Sequence, residues 1–133
     1  MGYVSHIVIA LHKSVLAEDL ISPLLPECLR RPEESDIETF TTDLAQYWIL
    51  RWKWWPDFPE VAVMQEFLET LAERVWFTDP LYHNGEILLC PVGALRIGED
   101  DGDQESWGSP ESYDIMLTRE ITYPRPSETS IPT

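Results

Sequence analysis

Basic side chains are scarce in this chain. Only nine of its 133 residues are Lys or Arg, against 24 that are Asp or Glu, so the formal net charge is −15 at pH 7. Nucleic acids and anionic membrane surfaces would repel such a chain, which argues against direct binding to either. A basic surface on another protein would instead attract it and accelerate the encounter.

Cysteine and long apolar runs are also lacking. The two cysteines, Cys28 and Cys90, are far apart and form no C-x-x-C motif, which excludes a disulfide framework and a zinc motif. We therefore expect reduced thiols, no metal and no cofactor. No stretch approaches the roughly 18 apolar residues of a membrane span, and the N-terminus lacks the basic segment of a signal peptide. These features predict a cytoplasmic protein, in the host cytoplasm if the chain is viral.

Motifs for catalysis are missing as well. The sequence contains no G-x-S-x-G, P-loop, G-x-G-x-x-G or H-E-x-x-H pattern. His6 and His12 would lie roughly 20 Å apart on one strand, too far to share a metal, and His83 stands beside a turn signal. We predict that the chain is not an enzyme. A dispersed active site would need a carboxylate within hydrogen-bond reach of His6 or His12.

The hydrophobic residues that are present are sufficient for a folded core. They make up 44% of the chain and include six Trp, five Tyr and four Phe, whereas disordered chains are poor in aromatics. The length fits one domain. We predict a single α+β domain over residues 1–123 and a flexible tail rich in Pro, Ser and Thr over residues 124–133.

Hydrophobic periodicity predicts a strand followed by two helices. Residues 3–12 are rich in β-branched side chains and predict a strand, and a short helix from Ser14 to about Ile21 could follow. The capping-box pattern from Ser35 to Glu38 and apolar residues at helical spacing predict a helix over residues 36–55, with a strand as the competing interpretation. A second helix over residues 59–75 is predicted, with Asp57 as its N-cap and an apolar stripe of Val63, Met64, Phe67, Leu68, Leu71 and Val75.

Strand patterns return in the last third of the chain. Residues 86–97 predict a strand interrupted at Pro91, which suggests an edge position or a bulge. Residues 113–123 predict another strand, and the acidic stretch between Gly98 and Pro110 a loop. The predicted fold is α+β, with a small antiparallel sheet of about three strands covered by an αα-hairpin in the order β-α-α-β-β. Arg51 would then lie on the apolar helix face and require a buried carboxylate partner.

The acidic clusters are the candidate binding residues. Glu66, Glu69 and Glu73 would share the outer side of the second helix, with axial rises between them of about 4.5 and 6 Å. The residues predicted to bind a partner are Glu66, Glu69, Glu73, Glu99, Asp100, Asp101, Asp103 and Glu105. A further group comprises Glu33, Glu34, Asp36 and Glu38. An EF-hand is excluded in the 99–110 loop, because positions 6 and 12 are Gln104 and Pro110.

Two functional hypotheses remain. Carboxylates on a rigid scaffold can imitate phosphates, and a net charge of −15 exceeds the magnitude of roughly 2–8 expected for a small domain. In general physical character, the chain resembles phage-encoded DNA-mimic proteins, which block restriction enzymes, CRISPR effectors or other host nucleic-acid enzymes. That resemblance implies a stoichiometric inhibitor that binds a basic protein surface. The alternative is a structural adaptor that oligomerises, for example as a homodimer, through an aromatic face.

Overall fold

The computed structural model describes residues 4–16, 26–30, 37–52, 58–73, 77–78, 85, 88–98, 102–117 and 121–124. In these ranges the helices are α1 (Lys13–Leu16), α2 (Glu27–Arg30), α3 (Pro59–Ala72) and a 3₁₀ helix (Pro110–Tyr113). The strands are β1 (Ser5–His12), β2 (Glu38–Thr41), β3 (Ala45–Trp52), β4 (Phe77–Thr78), β5 (Leu88–Leu89), β6 (Val92–Ile97), β7 (Gln104–Gly108), β8 (Met116–Leu117) and β9 (Ile121–Thr122).

The central element is a five-stranded antiparallel sheet in the order β2-β3-β1-β6-β7. Two short antiparallel pairs, β4 with β5 and β8 with β9, lie outside it. The predicted three-stranded sheet under an αα-hairpin is therefore wrong. Within the described residues, α3 is the only helix of seven or more residues, so most of the described fold is sheet.

The central position of β1 in the sheet explains why this strand is apolar on both faces. It pairs with β3 along one edge and with β6 along the other. Ile7, Ile9 and Leu11 point to the side that carries α3, while Val8 and Ala10 point to the opposite side, and all five are fully buried. The strand predicted over residues 3–12 is thus confirmed for the described part.

The helix predicted over residues 36–55 is wrong, since the described part of this segment is the hairpin of β2 and β3. In β3, Trp48 and Leu50 pack on the α3 side while Tyr47 and Ile49 pack on the other side. Because both faces of the strand are covered, four successive apolar residues replace the alternation that normally marks a strand. The described residues at helical spacing divide between the two sides of the sheet, with Ile37 and Trp48 on one side and Phe40, Leu44 and Tyr47 on the other.

The capping box and the buried Arg51 were predicted as parts of that helix. Glu38, expected in a capping box, begins β2, and Ser35 lies outside the described residues, as do residues 53–57. Arg51 is exposed near the end of β3, so its predicted burial with a carboxylate is wrong. Among the described residues, the buried arginine is Arg96 in β6, which is 5% exposed.

The C-terminal third also differs from the prediction. β6 lies between β1 and β7, so the expected edge position is wrong; Pro91 precedes the strand and its carbonyl accepts a hydrogen bond from the His12 amide. The stretch expected to be a loop between Gly98 and Pro110 contains β7. The single strand expected over residues 113–123 is replaced by the end of the 3₁₀ helix and the β8–β9 pair.

Two further predictions, the short helix from Ser14 and the flexible tail, lie partly outside the described residues. The helix expected from Ser14 to about Ile21 is described as α1, whose last described residue is Leu16. α2 follows Pro26, whose carbonyl accepts hydrogen bonds from the Leu29 and Arg30 amides. The predicted tail lies outside the described residues, apart from Pro124.

Each face of the sheet has its own core. The α3 side holds side chains from β1, β3, β6 and α3, with Trp107 of β7. The opposite side is closed by the 3₁₀ helix and the residues that follow it. There the Tyr47 hydroxyl donates to the Tyr113 carbonyl at 2.6 Å, and the Tyr113 hydroxyl donates to the Cys90 carbonyl. These bonds fix the 3₁₀ helix against the sheet.

Candidate partner-binding site

Helix α3 positions the first group of candidate residues. Pro59 is at the start of the helix, where its missing amide hydrogen is not needed, and the N-cap is Phe58 rather than Asp57. The buried side consists of Val61, Met64, Phe67, Leu68 and Leu71. The predicted helix is confirmed as far as Ala72, with Glu73 as its C-cap; residues 74 and 75 lie outside the described part.

The outer side of α3 carries Glu66, Glu69 and Glu73, all exposed. At about 100° per residue, Glu69 lies about 60° and Glu73 about 20° from Glu66 around the axis. The three carboxylates therefore share one side of the helix, as the sequence spacing predicted. No Lys or Arg occurs between Phe58 and Glu73, so the helix supplies no cation of its own. We call these three residues the glutamate row.

The glutamate row is unfavourable for the helix that carries it. Like charges three or four residues apart destabilise a helix by about 0.2–0.5 kcal/mol per pair. Carboxylates near the C-terminus also oppose the helix dipole, by about 0.3–1 kcal/mol each, and the last turn of α3 has no basic residue. Glu69 accepts a hydrogen bond from the Gln65 side-chain amide, but at 3.4 Å this bond is long and offsets only part of the cost.

The second group of candidates is only partly described. Glu99, Asp100 and Asp101 lie outside the described residues. The carboxylates of Asp103 and Glu105 instead converge on the buried Arg96 guanidinium, at 2.7 and 2.8 Å. Arg96 also donates to the Ser5 hydroxyl at 2.8 Å. Asp103 and Glu105 are therefore engaged with Arg96, while their side chains remain 33% and 37% exposed.

The electrostatics of Arg96 follow from this arrangement. Burial by itself lowers the pKa of Arg96, but the hydrogen bonds and negative charges of Asp103 and Glu105 outweigh burial, so its pKa is raised above the ordinary value. The guanidinium is thus a permanent cation with two anionic partners. Sequence analysis missed this network, although Arg96 and Glu105 are directly opposite each other in the β6–β7 hairpin. The sequence does contain one signal for this network. Arg96 stands between the apolar residues Leu95 and Ile97, and acids at alternate positions, Asp103 and Glu105, follow the next turn.

The exposed acids do not form a single surface. Eight described acidic residues are exposed, namely Glu38, Asp43, Glu60, Glu66, Glu69, Glu73, Glu111 and Asp114. Glu111 belongs to the 3₁₀ helix and Asp114 follows it, on the side of the sheet opposite α3. The exposed described cations are Lys13, Arg30 and Arg51. Of these eight acids, four lie on α3 or at its C-cap, two on the β2–β3 hairpin and two at the 3₁₀ helix.

A cavity of about 240 Å³ adjoins the glutamate row, and its described lining residues are Val63, Glu66, Phe67 and Thr70. Val63 was predicted to be in the core but is 51% exposed, because the buried stripe is centred closer to Val61 and Met64. The Thr70 hydroxyl donates to the Glu66 backbone carbonyl at 2.8 Å. We call this cavity the α3 groove.

Two other reactive side chains in the described residues, His12 and Cys90, are engaged within the fold. Nδ1 of His12 accepts a hydrogen bond from the Ser14 amide at 3.0 Å and lies 2.9 Å from the Ser14 hydroxyl, so His12 acts as the N-cap of α1. Cys90 is buried and free, and burial raises the pKa of its thiol. His83 lies outside the described residues. In the part of the chain that is described, no cluster of three or more His, Cys, Asp or Glu side chains is arranged to hold a metal ion.

Comparison of the chain with protein-family models, curated proteins and solved structures gave no match. Of the helices in the described ranges, none has the length and apolar character needed to cross a membrane.

Proposed function

We propose that this protein is a stoichiometric binding protein, of the DNA-mimic type, whose glutamate row on α3 occupies a basic surface of a nucleic-acid-binding or defence protein. The observation that carries the proposal is the row itself. Glu66, Glu69 and Glu73 are exposed on one side of the long helix, with no basic residue from Phe58 to Glu73.

Two physical arguments support this function. The row destabilises α3 in isolation, and charges that oppose stability are characteristic of sites kept for binding. The helix is also held firmly, because its apolar side packs into the core beneath it. Carboxylates fixed on such a scaffold can contact Lys and Arg side chains that normally hold phosphates, without a large ordering cost on binding.

The proposed surface is narrower than the sequence suggested. Asp103 and Glu105 are assigned to the fold, since they neutralise Arg96, and Glu66, Glu69 and Glu73 carry the proposed contact. The alternative of an adaptor that oligomerises through aromatic residues has less support. Of the tryptophans in the described residues, Trp48 and Trp107 are 1% and 6% exposed, and Trp52 is partly buried against the same core.

A capture experiment tests the proposal. The protein is immobilised and exposed to a bacterial lysate, and bound proteins are eluted with salt or with double-stranded DNA. We expect DNA to release a nucleic-acid-binding protein. The variant Glu66→Gln/Glu69→Gln/Glu73→Gln should lose this capture.

The matched control is Glu38→Gln/Asp43→Asn/Glu111→Gln, which removes the same charge from exposed sites away from α3. It should retain capture. If DNA releases no bound protein, or if the control loses as much capture as the α3 variant, the result would count against a site on this helix.

A further inference from the structure

We infer that the α3 groove binds the side chain of an arginine or lysine from the protein partner, with the aliphatic stem against Val63 and Phe67 and the cationic head against Glu66. This inference rests on the proposed function and specifies how the partner is recognised. It adds a contact that the glutamate row alone does not provide.

The volume of the groove limits its occupant. At about 240 Å³, it is smaller than the roughly 300–1,000 Å³ of pockets that hold drug-sized ligands. A single protruding side chain is therefore a better match than a free cofactor or a nucleoside. The described lining residues all lie on one flank of α3.

The apolar part of the groove favours a long aliphatic stem. Val63 is 51% exposed, although a valine in this position would gain by burial. Phe67, one turn further along, is 7% exposed and contributes to the same wall. The methylene groups of arginine and lysine pack along surfaces of this kind while the charged head stays in contact with water or a carboxylate.

The polar part of the groove selects a donor. Thr70 uses its hydroxyl hydrogen on the Glu66 backbone carbonyl, so its oxygen can only accept further hydrogen bonds. The Glu66 carboxylate is an acceptor as well. Both polar side chains among the described lining residues therefore require a donor, and arginine and lysine heads carry donors and no acceptor. A phosphate or a carboxylate would be repelled.

Titration with short peptides, followed by NMR of the full chain, tests this assignment. The probe is acetyl-Ala-Arg-Ala-amide, and the matched control peptide carries citrulline, which has a similar shape without the charge. We expect the arginine peptide to shift signals of Val63, Glu66 and Thr70 with millimolar affinity, and the citrulline peptide to bind about two- to fivefold more weakly. Guanidinium ion alone, which lacks the stem, should bind more weakly than the arginine peptide.

Val63 lines the groove but is not part of the glutamate row, so a variant at this position separates the two. Val63→Thr exchanges a methyl group for a hydroxyl at an exposed position and should weaken arginine binding, as should Glu66→Gln. Glu111→Gln, at an exposed site in the 3₁₀ helix on the side of the sheet opposite α3, should leave it unchanged. If Val63→Thr has no effect, or guanidinium binds as well as the peptide, the groove assignment is overturned while partner capture by the row can still succeed. Shifts that depend on protein concentration without peptide would show that a second copy fills the groove, and would overturn it too.

Discussion

Neutralising Asp103 and Glu105 together, as Asp103→Asn/Glu105→Gln, is expected to lower the free energy of unfolding by about 2–3 kcal/mol. Arg96 is 5% exposed and would keep its charge while losing both anionic partners. Removing the partner of a buried charge typically costs about 3–5 kcal/mol. The lower value applies because the Asp103 and Glu105 side chains are 33% and 37% exposed, which lets water reach the guanidinium, and because Asn and Gln still offer an oxygen.

Removing the buried cation itself should be milder. In Ser5→Ala/Arg96→Met, the guanidinium and the buried hydroxyl that accepts from it are deleted together, and the two carboxylates left behind are reached by water. Replacing a buried charge with an apolar side chain of similar size is often close to neutral, so we expect a change of about 1 kcal/mol or less. If Asp103→Asn/Glu105→Gln is less stable than Ser5→Ala/Arg96→Met, the charge of Arg96 is the group that requires the two carboxylates. This ranking of the two free energies of unfolding is more informative than either value alone.

Urea unfolding followed by tryptophan fluorescence measures both changes, and a loss of about 2–3 kcal/mol corresponds to a melting temperature lower by roughly 10 °C. Glu38→Gln/Glu111→Gln is the control, since it removes two charges at exposed positions and should stay within about 0.5 kcal/mol of the parent. The reasoning fails if Asp103→Asn/Glu105→Gln matches this control, or if Ser5→Ala/Arg96→Met is the less stable of the two.

Three further outcomes are expected. Glu73→Lys should raise the free energy of unfolding by about 0.5 kcal/mol, because a cation suits the helix C-terminus, and should at the same time weaken partner capture; a loss of stability in urea unfolding would contradict the first part. Gly93→Ala should destabilise the fold by about 1–3 kcal/mol, because a Cβ there would lie 2.5 Å from the Tyr113 ring and 2.8 Å from the Ser109 carbonyl oxygen; an unchanged urea midpoint would refute it. Because the folded pKa of Cys90 is raised, the unfolded thiol ionises first, so stability should fall as pH rises above the ordinary thiol value of 9.0. In a Cys28→Ser background, Cys90→Ala should flatten this fall, and equal slopes with and without Cys90 would show that burial of the thiol does not contribute.

The sequence predicted those elements whose periodicity matched their environment. α3 packs one side against the core, so its apolar residues recur at helical spacing and the opposite side keeps Glu66, Glu69 and Glu73 exposed. β1 was evident from its β-branched residues. β3 is covered on both faces as β1 is, so neither strand shows a strand period. The run from Tyr47 to Leu50 has only one β-branched residue, Ile49, and the capping-box pattern before it favoured a helix.

The roles of Asp103 and Glu105 depended on strand register rather than on local pattern. Only the pairing of β6 with β7 places Glu105 opposite Arg96, and only the turn between these strands brings the Asp103 carboxylate to 2.7 Å from the same guanidinium. An acidic loop read by itself gives no indication of an internal cation. The α3 groove could not be predicted from the sequence either. Val63 fits the predicted apolar stripe, and its exposure depends on which side of the helix packs against the sheet.

The central claim is that the glutamate row on α3 takes the place of DNA on a basic protein. The most direct measurement is the affinity of the captured and purified partner for this protein, determined at increasing NaCl concentration and in competition with double-stranded DNA. The claim predicts that affinity falls steeply with salt, that DNA and this protein exclude each other, and that Glu66→Gln/Glu69→Gln/Glu73→Gln abolishes the competition. A ternary complex with DNA, or undiminished affinity in that variant, would contradict it.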